Sequence, residues 1–353
     1  MRFMIYADPH CSSYSSIVRT RGEKYSSRLE NIIKSINWVE EMAVKYECSQ
    51  VVCLGDFFDK AELNSEELTA IQEINWADMS HIFIVGNHEM GRSNLQFSSS
   101  HLFNLCPENK VIEKPCTFTH NTIEGECEIC YLPYILESDR EQLDYYFGPM
   151  NKTRIIFSHN DIKGIQMGKF ISTSGFELDD IKNNCNLFIN GHLHNGTAFD
   201  NVINLGNLTG QNFSEDALLY EHKCLILDTD THAVEYLTNP FAFNFYKLDF
   251  TIISSDLFEA TLKALKDNSV VTIKVSSENV DMVRQLLANC NNIVESRVVV
   301  DLSTQTEIAD STNNINDLSV DHINTFVDYV KSNIGVSDLI TEELNNISGG
   351  LSV

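Results

Sequence analysis

Five short runs of aliphatic, β-branched and aromatic residues in the first two hundred positions each give way to a small or acidic residue. In each case a carboxylate, amide or imidazole follows within a few positions. Residues 2–7 lead to Asp8, 50–54 to Gly55-Asp56, 81–85 to Gly86-Asn87-His88, 154–157 to Ser158-His159, and 186–189 to Gly191-His192. Runs of this length and composition predict β-strands. Between the first two, Leu29, Ile32, Ile33, Ile36, Val39 and Val44 recur at mostly helical spacing across 24–46. A second helix is expected over 65–77, with Ser65 as its N-cap and acids in its first turn. Alternation of this kind predicts an α/β core. In open α/β sheets the loops beyond the carboxyl ends of the strands converge on one crevice, so five distant segments are expected to aim polar side chains at one place.

Further along, 202–205, 223–228, 233–237 and 245–250 are β-rich and are expected to form a second sheet packed on the first. Residues 251–302 alternate helix and strand (256–265, 270–275, 280–288, 297–302), which predicts a small α+β unit able to cap the active face. The expected division is therefore 1–250 as the main domain, 251–302 as the cap, 303–318 as a polar linker, and 319–353 as a helical segment suited to docking a partner. The expected fold class is α/β: a two-sheet sandwich flanked by helices, with that α+β cap and C-terminal docking helices.

Composition narrows the class. No apolar run approaches the ~20 residues that span a bilayer, and the N-terminal run turns polar too early for a signal peptide, so an intracellular, cytoplasmic protein without membrane contact is expected. Ten cysteines sit at irregular spacings. Cys53, Cys130 and Cys224 fall inside apolar runs, which favours reduced thiols. Cys127 and Cys130 form one C-x-x-C with no second ligand pair, a weak zinc signal. The formal net charge of −25 argues against nonspecific polyanion binding by this chain alone, although bound divalent cations reverse the sign locally. Residues 298–353 hold nine Asp/Glu against one Lys and no Arg, a solvated or partner-facing composition.

The polar residues form one constellation: Asp8-Pro9-His10, Gly55-Asp56 with Asp59, Gly86-Asn87-His88-Glu89, Ser158-His159, and Gly191-His192-Leu193-His194. Asp, Asn and His together suit manganese, iron or zinc better than calcium or magnesium alone. Two divalent ions ~3.5–4 Å apart polarise a phosphoryl group and bring the pKa of a shared water near neutrality. Each piece alone has an ordinary reading: an Asp-x-His after a strand is more often a turn, and Asp59 is equally suited to capping a helix. The ordered set of five outweighs those readings. His81, His101, His120, His222, His232 and His322 lack such context. Trp38, Trp76 and the 241–245 aromatics are expected to be packing.

The string D-x-H, G-D-x-x-D, G-N-H-E, H, G-H-x-H resembles the calcineurin-like metallophosphoesterases over residues 1–210. The resemblance implies that Asp8, His10, Asp56 and His194 hold one metal. Asp56 would bridge to a second, held by Asn87, His159 and His192. His88 would contact the phosphate and protonate the leaving oxygen, and Asp59 would orient His88 or a ligand. The chain is more specifically similar to the nuclease subunit of the SbcCD-type DNA repair complex. That likeness rests on Ile129-Cys130-Tyr131-Leu132-Pro133-Tyr134, on Leu205-Gly206-Asn207 with Phe213-Ser214-Glu215, and on the order of cap, linker and terminal helices. Glu89 stands where that family more usually has Asp, and Asn207-Leu208-Thr209 lacks its serine-proline step. The resemblance implies a manganese-dependent DNA exonuclease or endonuclease in repair and recombination. It would act as a homodimer within a heterotetramer with a coiled-coil ATPase of SbcC type. A nucleotide or small-molecule phosphodiesterase, and a metal-bound assembly scaffold, are the alternatives.

Overall fold

A computed structural model of the chain describes residues 1–123, 125–167 and 170–301. The expected linker and docking helices lie outside the described residues. Two six-stranded sheets stack on one another. The first runs, edge to edge, Ala233–Thr238, Lys223–Asp228, Arg2–Tyr6, Gln50–Cys53, Ser80–Ile84, Lys110–Ile112; the second runs Thr197–Phe199, Val202–Asn204, Leu187–Asn190, Thr153–Ser158, Gly125–Leu132, Cys116–Thr122. In each, four consecutive strands are parallel and the remainder antiparallel.

Burial explains the stacking. Phe3, Ile5, Val52, Leu54, Ile82 and Ile84 project from the first sheet against Ile129, Tyr131, Ile155, Phe157, Ile189 and Ile203 of the second. Each such side chain contributes about 1.5–3 kcal/mol by leaving water. On the outer face of the first sheet lies the helix Ser27–Lys45, whose Leu29, Ile32, Ile36, Val39 and Ala43 are buried at helical spacing. It begins at Ser27 rather than at 24 because the Ser26 side chain accepts from the Leu29 N–H. The outer face of the second sheet is covered by the short helices Leu143–Phe147 and Leu178–Asn184. Cys127 is buried between the sheets and Cys130 on the outer side, as the two-residue side-chain period of a strand requires, so the C-x-x-C is not a ligand pair. All ten cysteines are free.

Three expectations need correction. The helix expected over 65–77 is Ser65–Ile71, capped by Asn64 in a reciprocal box with Glu67. Past Ile71 the Glu73 and Ile74 N–H groups tighten onto Ala70 O and Ile71 O, and side chains of the neighbouring helix then take the Asn75 and Ala77 N–H groups, Asn37 the first and Glu40 the second. The second sheet is not built from 202–250. Strand Lys223–Asp228 returns to pair antiparallel with Arg2–Tyr6, and the second sheet forms from 116–204 instead. Finally, Asn244–Asp249 lies outside the sandwich. It pairs in parallel with Ser269–Ser276, which pairs with Ile293–Asp301, so the appended α+β unit takes in a strand from before residue 251. Phe250, Phe258, Leu262, Val271, Ile273 and Val283 form its own core. Phe243, Phe245 and Val270 seat it on Val18 and Phe213. The Gly210 and Ala217 N–H groups bond the Phe243 and Phe245 carbonyls. No described helix is long and apolar enough to cross a membrane.

Candidate metal centre

The strand ends deliver their polar residues through an unusual backbone. Asp8, His10, Asp56 and His192 all have left-handed φ, at 50°, 46°, 47° and 69°. Asp, Asn and His enter that region more readily than other side chains, and such strain persists where the surroundings over-determine it. Here the two loops are laced together: Asp8 N–H bonds Gly55 O at 3.2 Å, His10 N–H bonds Asp56 O at 3.0 Å, and Cys11 N–H bonds Phe57 O at 2.7 Å. Two glycines are obligatory in this arrangement. Gly55 has φ +111°, and a Cβ there would fall 2.3 Å from His159 Nδ1. At Gly86 a Cβ would fall 2.6 Å from the Asp56 backbone nitrogen.

The structure brings all nine sequence-predicted residues to one place. Asp8, His10 and His194 form one group whose ligand atoms lie within 4.8 Å of one another, and Asp56, His159 and His192 form a second. Asp56 joins them, with Oδ2 3.1 Å from His159 Nε2 and 3.7 Å from His10 Nε2. Asn87 Oδ1 sits 3.2 Å from His159 Nε2 and 3.0 Å from His192 Nδ1. His88 stands beside the first group, its backbone N–H on Asp56 Oδ1 at 2.9 Å and its Nδ1 3.2 Å from the Asp59 carbonyl. Asp8, His10, Asp56 and His159 form a floor hidden from solvent. The His88 side chain is 45% exposed and forms the rim.

Whether this chemistry fits cations is decided by the second nitrogen of each imidazole. His10 Nδ1 is 3.1 Å from Asp59 Oδ1, His159 Nδ1 2.8 Å from Leu54 O, His192 Nε2 3.1 Å from Asp161 Oδ1, and His194 Nδ1 2.8 Å from Glu215 Oε1. Each partner is an acceptor, so a cation on the inward nitrogen would leave the proton on this outer one, the tautomer that a metal-bound imidazole needs. His10 Nε2 and His194 Nε2 confront each other at 3.1 Å, beside the Asp8 carboxylate. A divalent cation satisfies such a donor set. The residues fit a pair of metals.

The electrostatics agree. Burial would raise the Asp56 carboxyl, yet the charge and hydrogen bond of His159, with His10 and His88 beyond, hold it well below the usual carboxylate range. In return Asp56 raises His159 against the opposing effect of burial. Protons thus occupy, in the metal-free protein, the positions that cations would neutralise. The hydrogen bond to Asp59 lifts His88 to about 9.

Three carboxylates complete the site. Asp161 and Glu215 orient His192 and His194. In the sequence Glu215 stands out only as part of a loop resemblance and Asp161 belongs to none of the motifs, although an acid two residues beyond His159 is itself a signal. Glu215 is further fixed by Asn207 Nδ2 at 2.9 Å and the Gln211 N–H at 2.8 Å. Glu89 is fully buried and accepts from the Gly86 and Phe58 N–H groups, both at 3.0 Å, so its longer side chain locks two ligand loops together. Burial and the nearby Asp56 charge push it up to about 7. Asp59 serves both histidines, His10 at 3.1 Å and His88 at 3.5 Å, rather than capping a helix. His81 is a buried partner of Glu40 at 2.9 Å, and His101 pairs with Glu113 at 3.1 Å. Trp38, Trp76 and Phe243 pack in cores. His322 lies outside the described residues.

A search of the curated proteins finds no match. Among solved structures, the chain is similar to the crystal structure of a dimetal phosphatase from Danio rerio (LOC 393393), at 13% identity and a TM-score of 0.38, over 68% of this chain and 99% of that one. A sequence model of the calcineurin-like phosphoesterase family matches residues 1–219, which hold every ligand described above. The chain belongs to the calcineurin-like phosphoesterase family.

Proposed function

We propose that this phosphoesterase is a metal-dependent DNA nuclease, loaded with manganese, that works with a coiled-coil ATPase partner. The observation that carries the reading is a buried pair of ligand groups joined at Asp56 under a solvent-open rim. A backbone phosphate within a long polymer can be laid on such a site without the rest of the chain being enclosed. The likeness of the motif order to the SbcCD-type nuclease subunit, and an appended α+β unit seated on the loop that carries Glu215, support the same reading.

Asp8, His10 and His194 would hold one cation, Asn87, His159 and His192 the other, with Asp56 between them. When bound, the cations polarise the phosphoryl oxygens and acidify water. The chain's own residues do the rest. Asp59, Leu54 O, Asp161 and Glu215 fix the tautomers of the four ligand histidines. His88 is anchored through Nδ1 to Asp59, which leaves Nε2 at the rim to hand its proton to the leaving oxygen.

One observation favours a second reading. A formal charge of −25 repels a polyanion, which suits a nucleotide or small phosphodiester better unless a basic partner contributes surface. The test is manganese-loaded protein assayed on a duplex oligonucleotide and on bis-p-nitrophenyl phosphate, with and without proteins co-purified from the native host. Cleavage of the oligonucleotide supports the nuclease. Hydrolysis of the small ester alone, under every condition, transfers the assignment to the second reading.

A further inference from the structure

Beside the second ligand group lies a cleft of about 540 Å³ between the hairpin that follows His88 and the segment that follows Pro133. Its two walls are tied to the metal centre. The hairpin strands Met90–Gly91 and Asn94–Ser98 leave directly from Glu89, and the Ser99 N–H returns to the Glu89 carbonyl at 3.3 Å. On the other wall the Tyr134 N–H bonds Val85 O at 3.0 Å, and the Tyr134 ring lies 5.6 Å from the His192 ring. The cleft therefore begins where the site ends.

Its lining is mixed in a specific way. Tyr134 and Tyr146 supply aromatic surface, Met90 and Leu95 aliphatic surface, and Arg92 and Lys114 cations, alongside two acids, Glu113 and Asp139, that bond His101 at 3.1 Å and Ser138 at 3.0 Å. The two cations form no ion pair with any described residue, in a chain where acids outnumber Lys and Arg by 50 to 25. Cations left unpaired while the neighbouring acids bond elsewhere, next to aromatic and aliphatic walls, suit a planar, apolar-faced group carrying an adjacent anion. A nucleobase attached to its phosphate is such a group: base–aromatic stacking tolerates any base, and Arg or Lys takes the flanking phosphate. The volume lies within the ordinary range of small-ligand clefts.

We propose that this cleft is a nucleobase subsite, which receives the nucleotide adjoining the scissile phosphate on the His192 side. The inference rests on the reading of the site as a nucleic-acid phosphodiesterase, and it names the residues that select a nucleoside over a plain ester.

Two measurements test it. In the first, metal-free full-length protein, with its methyl groups labelled, is titrated with thymidine 5′-monophosphate, with a thymidine tetranucleotide, and with ribose 5-phosphate. The expected result is saturable shifts at Met90 and Leu95 with both thymidine ligands, at least tenfold tighter than with the base-free sugar phosphate. Tighter binding of the tetranucleotide marks a strand as the natural occupant, and equal binding marks the mononucleotide. Equal shifts from the sugar phosphate, or no shifts at these residues, overturn the proposal. In the second, the kcat/KM for thymidine 5′-p-nitrophenyl phosphate is divided by that for bis-p-nitrophenyl phosphate. The ratio cancels differences in folding and metal loading. It is expected to fall about tenfold in Leu95→Glu and severalfold in Arg92→Ala/Lys114→Ala. An unchanged ratio in both variants overturns the subsite while leaving the phosphodiesterase standing. An intact ratio dependence in a protein that cuts no oligonucleotide overturns the nuclease reading while leaving the subsite.

Discussion

The sandwich and the appended unit use the same part, a run of parallel strands with helices packed on it, and only one of them makes a site. In the sandwich, strands Arg2–Tyr6, Gln50–Cys53 and Ser80–Ile84 run parallel and give way to Asp8, Asp56 and Asn87, on backbone bent into the left-handed region or relieved by glycine. In the appended unit, strands Asn244–Asp249, Ser269–Ser276 and Ile293–Asp301 also run parallel, and two of them lead on to Phe250 and Ser277 with no such bend. Among the described residues, helices cover only one face of that sheet, around Val271, Ile273 and Val275. Parallel strands therefore provide a crevice. The chemistry needs turns sharp enough to point two consecutive loops at one cation, and those turns tolerate few residue types.

The hardest blow to this contrast is Gly55→Ala. The added methyl meets His159 in a backbone conformation that disfavours any side chain, so a loss of roughly 4 kcal/mol or more in denaturant unfolding is expected, with metal binding abolished. A variant with wild-type stability and metal content would show that the turn is not what builds the site. Chelation comes next. If both cations are present at about a hundred times their Kd, removing each costs about 2.7 kcal/mol of apparent stability, readable as a lower Tm in EDTA that manganese restores. An unchanged Tm would mean that the inward-facing groups gain nothing from a cation. Glu215→Ala and Asp161→Ala are each expected to weaken cation affinity by about 10–100-fold in calorimetric titration, one at each ligand group. Identical effects on both cations would break the assignment of His194 and His192 to separate groups. Glu89→Gln replaces one of two accepting oxygens by a donor and should cost about 1–3 kcal/mol. The smallest change belongs to the appended unit. Lys274→Ala removes the partner of Asp301 from the surface and is expected to leave the denaturant midpoint almost unchanged, with metal affinity untouched.

How much of this was legible in the sequence follows from what is local. Strand runs ending in glycine, acid or imidazole are local patterns, so the parallel core and its nine polar residues could be read directly. Sheet membership is not local. Lys223–Asp228 follows Val202–Asn204 in the chain but pairs with Arg2–Tyr6 more than two hundred residues away, and alternation carries no record of that choice. The path of the chain beyond the helix end at Ile71 depends on Asn37 and Glu40, side chains of another element that take the Asn75 and Ala77 N–H groups. Asp161 and Glu215 take their meaning from the tautomers of His192 and His194, which exist only once the loops have met.

The left-handed turns also limit how this centre can be altered. At positions 8 and 56, asparagine occupies the same backbone region as aspartate and has nearly the same shape, so either carboxylate can be exchanged for a neutral amide without asking the chain to refold. Most other replacements would have to unbend the loop. The site is thus stiff towards shape, and an amide at either position would separate what the negative charge does from what the bend does.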